Sequence, residues 1–242
     1  MRRLGLIGGM SWQSTAIYYR HLNEMARQRL GDLHSADLLM RSLDFADVAE
    51  RQHRGDWDGL ADILVAAGRE LESAGAKALV LCTNTMHLLA ERIEAAVAIP
   101  LIHIADATAA AIKQSPARNP ALLATRFTME RDFYRGRLLS DHGLPTVIPD
   151  EAGRSTVHRI IYEELCEGVV RPDSKRQYID EVGQLRKQGA DGVILGCTEI
   201  TMLIGQEDFD IPVFDTTWLH SKAAMDFALG DGLSTTKEGG AQ

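Results

Sequence analysis

Short apolar runs alternate with longer amphipathic ones along nearly the whole chain, and this alternation restricts the fold more than any other feature. Segments 3–7, 37–41, 78–81, 101–103, 121–124, 146–148, 192–195 and 212–214 are brief, β-branched or Leu-rich, and bounded by Gly, Pro or Asp, as buried strands are. Helical segments are expected between them, at 14–30, 56–74, 86–96, 105–114, 129–141, 154–167, 173–188 and 216–228. Strands alternating with helices are βαβ units, and these assemble as parallel sheets covered by helices.

The chain also repeats itself weakly. Gly75-Ala76-Lys77-Ala78-Leu79-Val80-Leu81 resembles Gly189-Ala190-Asp191-Gly192-Val193-Ile194-Leu195 at an offset of 114 residues. Each segment closes a helix with a Gly suited to a left-handed cap and then runs a strand into a polar cluster. Leu4–Gly9 resembles 121–125, Tyr18 falls opposite Tyr134 at an offset of 116, and Ile99-Pro100 matches Ile211-Pro212 at 112. Four matches in one order at nearly one offset predict two similar α/β lobes. The expected boundaries are a first lobe over 1–115 completed by 215–229, a second over 116–214, and a disordered tail over 230–242.

Composition narrows the function. The 242 residues carry 26 Lys and Arg against 34 Asp and Glu, a net charge of −8, so no basic surface for nucleic acid or an acidic membrane is expected. No run approaches the ~20 apolar residues of a membrane span. The four apolar residues before Gly8-Gly9 are too few for a signal-peptide core of about 7–15. Three sparse cysteines fit a reducing, cytoplasmic setting, and none has zinc-site spacing, so no metal is expected. Gly5-Leu6-Ile7-Gly8-Gly9 lacks the third Gly of a dinucleotide fingerprint, and no Gly-Lys-Ser/Thr marks a phosphate loop.

In open parallel sheets ligands bind beyond the carboxyl ends of the strands, and polar clusters stand there. Gly8-Gly9-Met10-Ser11 follows the first strand and Thr125-Arg126 its counterpart. Cys82-Thr83-Asn84-Thr85 and Gly196-Cys197-Thr198-Glu199 follow the repeated pair. Each cluster opens a helix, whose free N–H groups suit a carboxylate. Cys197 ends an apolar strand before a predicted helix start, where a thiol pKa is expected to be depressed. Cys82 sits in a matching context, whereas Cys166, among acidic neighbours on a predicted helix, reads as structural. Thiols on opposite walls of a cleft suit proton removal from carbon on one face and return on the other. The α-proton of an amino acid is very weakly acidic, so preorganised donors such as Asn84, Thr85 and Thr198 must stabilise the carbanion.

Leu79-Val80-Leu81-Cys82-Thr83-Asn84-Thr85-Met86-His87 and Ile194-Leu195-Gly196-Cys197-Thr198-Glu199-Ile200 resemble the paired signatures of the aspartate/glutamate racemases. The segments Leu6-Ile7-Gly8-Gly9-Met10-Ser11 and Ala124-Thr125-Arg126-Phe127-Thr128-Met129 resemble family segments as well. The likeness spans about residues 3–229 and is strongest to the enterobacterial amino-acid racemase branch. It implies two pseudo-symmetric lobes, each a mostly parallel sheet flanked by helices, with the site in the cleft between them. It further implies a cofactor-independent racemase of aspartate, glutamate or a broader set, often a homodimer. Family substrate-binding positions fall on Met10, Gln52, Asn84, Thr85, Thr125, Thr198 and Glu199, and the catalytic pair on Cys197 and the Cys82-Thr83 step.

One departure stands out. Most members have Cys directly before Asn-Thr, whereas here Thr83 intervenes, and the repeat at offset 114 also pairs Cys197 with Thr83. A one-residue shift turns a strand side chain to the opposite face. The second proton carrier is then either Cys82 itself or, if the shift turns Cys82 into the core, a water held by Thr83, which is a poor base. Since the family's second-lobe cysteine faces the α-proton of the L enantiomer, an enzyme favouring L substrates is expected. Two rivals share this architecture: a single-thiol isomerase or decarboxylase of small dicarboxylates, and a non-catalytic amino-acid binder. His87 can orient the first motif or fill the core, Arg126 can pair a substrate carboxylate or lie on the surface, and 51–54 reads as a polar loop or short helix.

Overall fold

The apolar segments of the first half pair into a parallel sheet of β1 (Leu4–Gly8), β2 (Leu38–Ser42), β3 (Ala78–Leu81) and β4 (Leu101–Ile102), in the order β2-β1-β3-β4. Those of the second half form β5 (Ala121–Leu123), β6 (Val193–Leu195) and β7 (Val213–Asp215), in sequence order. These elements belong to a computed structural model that describes residues 1–31 and 33–230; the tail beyond 230 lies outside the described residues. Among them no helix is long and apolar enough to cross a membrane.

The repeat is visible in the hydrogen-bond register. Leu79 pairs with Leu101 and Val80 with Ile102 in the first sheet; Val193 pairs with Val213 and Ile194 with Phe214 in the second. Gly5↔Leu79 is likewise matched by Ala121↔Val193. Gly75 and Gly189 both adopt left-handed φ, +98° and +97°, where a side chain would be strained. The expected strand at 146–148 is reduced to a single parallel bridge from Val147 to Ala121, in the place β2 occupies beside β1.

Strand parity divides the first core. Leu4, Leu6, Ala78, Val80 and Cys82 face α1 (Trp12–Leu30), while Ile7, Leu79 and Leu81 face the helix at Trp57–Ser73. The remaining helices are α2 (Phe45–Arg54), α3 (that at Trp57–Ser73), α4 (Ala90–Glu94), α5 (Ile104–Lys113), α6 (Arg126–Glu130), α7 (Asp132–His142), α8 (Glu151–Glu163), α9 (Pro172–Lys187) and α10 (Thr216–Leu229). Three expected helices are interrupted. Segment 86–96 opens as a 3₁₀ turn over Thr85–Leu89, segment 129–141 breaks where Arg131 is extended, and segment 154–167 ends at Glu163. Residues 51–54 lie in α2, which Asp44 caps through a bond from the Ala46 N–H and Gly55 closes.

The lobes exchange helices. α5 leaves the first sheet, yet Ile104, Ala105, Ala109 and Ile112 pack into the core of the second lobe. α10 leaves the second sheet, yet Ala224, Met225 and Ala228 pack against Tyr18 and Leu22 of the first. α5 and α10 also pack on one another. The repeated tyrosines secure both: Tyr18 Oη lies 2.8 Å from His220 Nδ1 on α10, and Tyr134 Oη lies 3.1 Å from Thr108 Oγ1 on α5. Position in the chain placed α5 wholly with the first lobe; its apolar face belongs to the second.

His87, His103 and His220 meet at this seam, with ring centroids 4.6 Å apart for His87–His103 and 5.4 Å for His87–His220. Burial lowers all three pKa values, His103 to about 3 and His220 to about 4. The unfolded chain takes up these protons near pH ~6.5, before the folded one does. Stability from the neutral rings is therefore complete above that pH and is lost as pH falls toward 4. The urea midpoint is expected to drop steadily between pH 6.5 and 4.5; a flat profile over that range would refute neutral, buried imidazoles.

Candidate active site

The strand ends converge on a narrow cavity of about 50 Å³ lined from both lobes. Thr83, Asn84 and Thr85 reach it from β3, Met10 from β1, Thr125 from β5, and Cys197, Thr198 and Glu199 from β6. Gln52 arrives from α2, where it is buried two residues before the Arg54 terminus. Gly9 makes the first loop possible: its φ is +89°, and a Cβ there would lie 2.2 Å from the Leu43 carbonyl oxygen.

Cys82 does not reach the cavity. It shares the strand face of Ala78 and Val80, is fully buried beside Tyr18, and its thiol contacts the Val80 carbonyl at 3.7 Å. Burial raises its pKa. Cys82 therefore leaves the candidate catalytic set, and Thr83, on the opposite parity, lines the wall. His87 fixes this turn. Its Nε2 accepts from the Ile104 N–H at 3.2 Å, so Nδ1 carries the proton and donates to the Thr83 carbonyl at 2.7 Å.

Cys197 donates its thiol proton to Glu199 Oε2 at 3.0 Å, and Ser11 and Ser14 donate to Glu199 Oε1 at 3.0 and 2.9 Å. The expected depression of the thiol pKa is reversed. Burial pushes it well above its ordinary value, and the Glu199 carboxylate adds to the rise. The following element is only a 3₁₀ turn over Thr198–Met202, too short to offset these effects.

The first turn of α10 holds both motifs. Thr216 spends its single hydroxyl proton on the Leu195 carbonyl at 2.8 Å, so at 3.1 Å it accepts from Asn84 Nδ2. This turns Asn84 Oδ1 away from Thr216 and leaves it without a partner. Thr217 bonds Thr198 through paired hydroxyls at 2.9 Å. Thr85, Thr125 and Thr128 form a ring of hydroxyls across the lobe seam at 3.2–3.4 Å. Gln52 Nε2 is buried with no partner. A lone buried donor and a lone buried acceptor in one cavity are what a polar ligand would satisfy.

Ser14, Tyr162 and Cys166 line the cavity without having been expected there, and Ser11, the last residue of the first polar cluster, lines it as well. Cys166 lies in a 3₁₀ turn over Leu165–Glu167 rather than on a helix, which brings its thiol to the wall; burial, with Glu199 and Glu167, raises its pKa to about 12. Ser11 carried a signal, as the N-cap of α1, but nothing local tied it to Glu199. Arg126 is outside, paired with Glu130 and Glu151. Trp12 and Trp218 are exposed, and Trp57 packs on Phe127. Among the described residues no group of His, Cys, Asp and Glu is placed to hold a metal ion.

The Asp/Glu/hydantoin racemase family model matches residues 7–224. The chain belongs to this family. The members that name this family are racemases, which are isomerases by class. A Yersinia pestis crystal structure assigned to the Asp/Glu racemases shares 50% identity over 95% of this chain and 100% of its own, with a TM-score of 0.90. An aspartate racemase homologue from Pyrococcus horikoshii shares 33% over 95% of this chain and 100% of its own, with a TM-score of 0.83. The broad-specificity amino-acid racemase RacX of Bacillus subtilis is 22% identical over 92% of this chain and 96% of its own. The two-lobed α/β architecture is the one these racemase structures share.

For this racemase, Thr216→Val is expected to leave Asn84 Nδ2 and the Leu195 carbonyl unpaired, costing about 1–3 kcal/mol of stability. Displacing Asn84 should also lower kcat/KM about tenfold or more. Thr216→Ser, which keeps the hydroxyl, should restore both. Urea titration and turnover assays check this, and equal behaviour of the two variants would refute the clasp.

Proposed function

We propose that the chain interconverts amino-acid enantiomers without a cofactor, with Cys197 as the proton carrier on one face and a water held by Thr83 on the other. The observation that carries this is that Cys197 of the second lobe and Thr83 of the first line one cavity that also holds an unpaired acceptor, Asn84 Oδ1, and an unpaired donor, Gln52 Nε2. The substrate ammonium donates to Asn84 Oδ1. The α-carboxylate accepts from Gln52 and from the Thr85–Thr125–Thr128 hydroxyls, which also take up charge as the carbanion forms.

The proton path balances. Glu199 accepts the thiol proton along the existing 3.0 Å bond, and the thiolate then removes the α-proton of the L enantiomer. The Thr83-bound water delivers a proton to the opposite face and becomes hydroxide. The proton on Glu199 neutralises that hydroxide through solvent as product leaves, and the enzyme is reset. Because the two enantiomers have equal free energy, kcat/KM for interconversion must be equal in both directions. Unlike carriers therefore show as unequal kcat and unequal KM, and a preference for L substrates can appear only in those separate constants.

Proton NMR in deuterated buffer tests the reading. The α-proton signal of a substrate is expected to disappear with no added cofactor. Cys197→Ser should slow this about a hundredfold or more, and Cys82→Ala should retain it. Thr83→Val should lower kcat/KM equally in both directions. With the thiol pKa raised and Glu199 taking the thiol proton internally, kcat/KM should stay level through the ordinary thiol range near ~8.5; Glu199→Gln should reduce kcat and make the remaining rate climb with pH. Turnover of maleate-like or malonate-like acids without amino-acid exchange would instead support the single-thiol isomerase or decarboxylase.

A further inference from the structure

The cavity lined by Cys197 and Thr83 is the smaller of two that adjoin. Its 50 Å³ offers room for about four waters, enough for an α-carbon with its ammonium and carboxylate. A larger cavity of about 220 Å³ adjoins it, and Ser14, Cys166, Thr198 and Glu199 belong to the walls of both. The second cavity runs between α1 and the 3₁₀ turn at Leu165–Glu167. Its apolar lining is Ile17, Leu165 and Met202, and its charged lining is Glu167 with Glu199.

No Lys, Arg or His occurs among the residues lining either cavity. An amino acid's own ammonium and α-carboxylate cancel, so its head group adds no net charge. The second carboxylate of aspartate or glutamate would be unbalanced and would enter walls whose only charges are carboxylates. Desolvating an unpaired anion beside like charges is strongly unfavourable. A methylene stem suits Ile17, Leu165 and Met202, and a cationic end suits Glu167.

We propose, given the racemase reading, that the substrates are α-amino acids with uncharged or cationic side chains, and that the side chain lies in the Ile17–Leu165–Met202 cavity. This sets the chain apart from the acidic amino acids in its family's name. Selectivity comes from the absence of a cation and the presence of Glu167.

The test uses the full chain and a panel of L-alanine, L-methionine, L-lysine, L-aspartate and L-glutamate, followed by α-deuterium incorporation. Methionine and lysine are expected to exceed aspartate and glutamate in kcat/KM by at least about tenfold. Ile17→Trp should lower the methionine-to-alanine and lysine-to-alanine ratios. Glu167→Gln should lower the lysine-to-methionine ratio. Ratios within one variant are insensitive to a general loss of folded protein. Aspartate or glutamate equal to or better than methionine overturns the substrate class while leaving the racemase reading intact. Unchanged ratios in both variants overturn the side-chain cavity. If nothing on the panel exchanges, the racemase reading fails. Thermal protection by methionine and lysine but not aspartate would then support the selectivity, and protection by aspartate would overturn it.

Discussion

The adjacent hydroxyls of Thr216 and Thr217 are the point on which the site depends. Thr216 bonds the Asn84 amide of the first lobe and the Leu195 carbonyl of the second, and Thr217 bonds Thr198. Both threonines are buried, so these bonds compete with no water. They sit in the first turn of α10, which Asp215 caps by accepting from the Thr217 and Trp218 N–H groups. Because α10 itself is packed on the first lobe, the clasp is anchored from both sides. The exchange of α5 and α10 makes separation of the lobes expose two helix faces rather than a flat seam. The distance between Thr83 and Cys197 is thus set by packed elements, as proton transfer to opposite faces of one carbon requires.

The same construction governs the charge. Glu199 is a carboxylate at 8% exposure, held by two serine hydroxyls and one thiol. Those donors make its burial tolerable. The carboxylate, with burial, in turn keeps Cys197 protonated. A resting thiol resists oxidation, since the thiolate is the reactive form. In the proposed reaction, the positive charge of a substrate ammonium entering the cavity would offset the Glu199 carboxylate and favour the thiolate. Placing the only charge of the cavity on an anion also biases it toward ligands that bring no excess negative charge.

Much of this was written into the sequence where the determinant is local or repeated. The offset of 114 residues between Leu79 and Val193 reappears as identical strand pairing in the two sheets. The parity of one inserted residue placed Cys82 against Tyr18 and Thr83 at the cavity. What was not legible depends on partners far away in the chain. Ser11 and Ser14 bond a glutamate 188 and 185 residues distant, and no local pattern reports that. Cys166 looked helical because its neighbours are amphipathic, but Glu164 leaves the helix at φ −126° and turns the thiol to the wall. The rise of the Cys197 pKa has a related cause: helix-end chemistry can be read in sequence, but depth of burial and a folded-back Glu199 cannot.

The internal repeat accounts for how the two proposed proton carriers can be unequal. The repeated lobes present strand ends to one another with near two-fold symmetry, as Tyr18 and Tyr134 show by bonding the exchanged helices alike. A substrate stereocentre needs that symmetry only at its α-carbon; around it, the carboxylate, ammonium and side chain are all different. The walls can therefore diverge once positions are fixed. The β3 end carries Thr83 with the Asn84 acceptor, and the β6 end carries Cys197 with Glu199. Interconversion constrains only the ratio kcat/KM to be equal for the two enantiomers. It leaves the fold free to bind one of them more tightly, and the proposed pairing of a thiol with a hydroxyl-bound water would be a physical means of doing so.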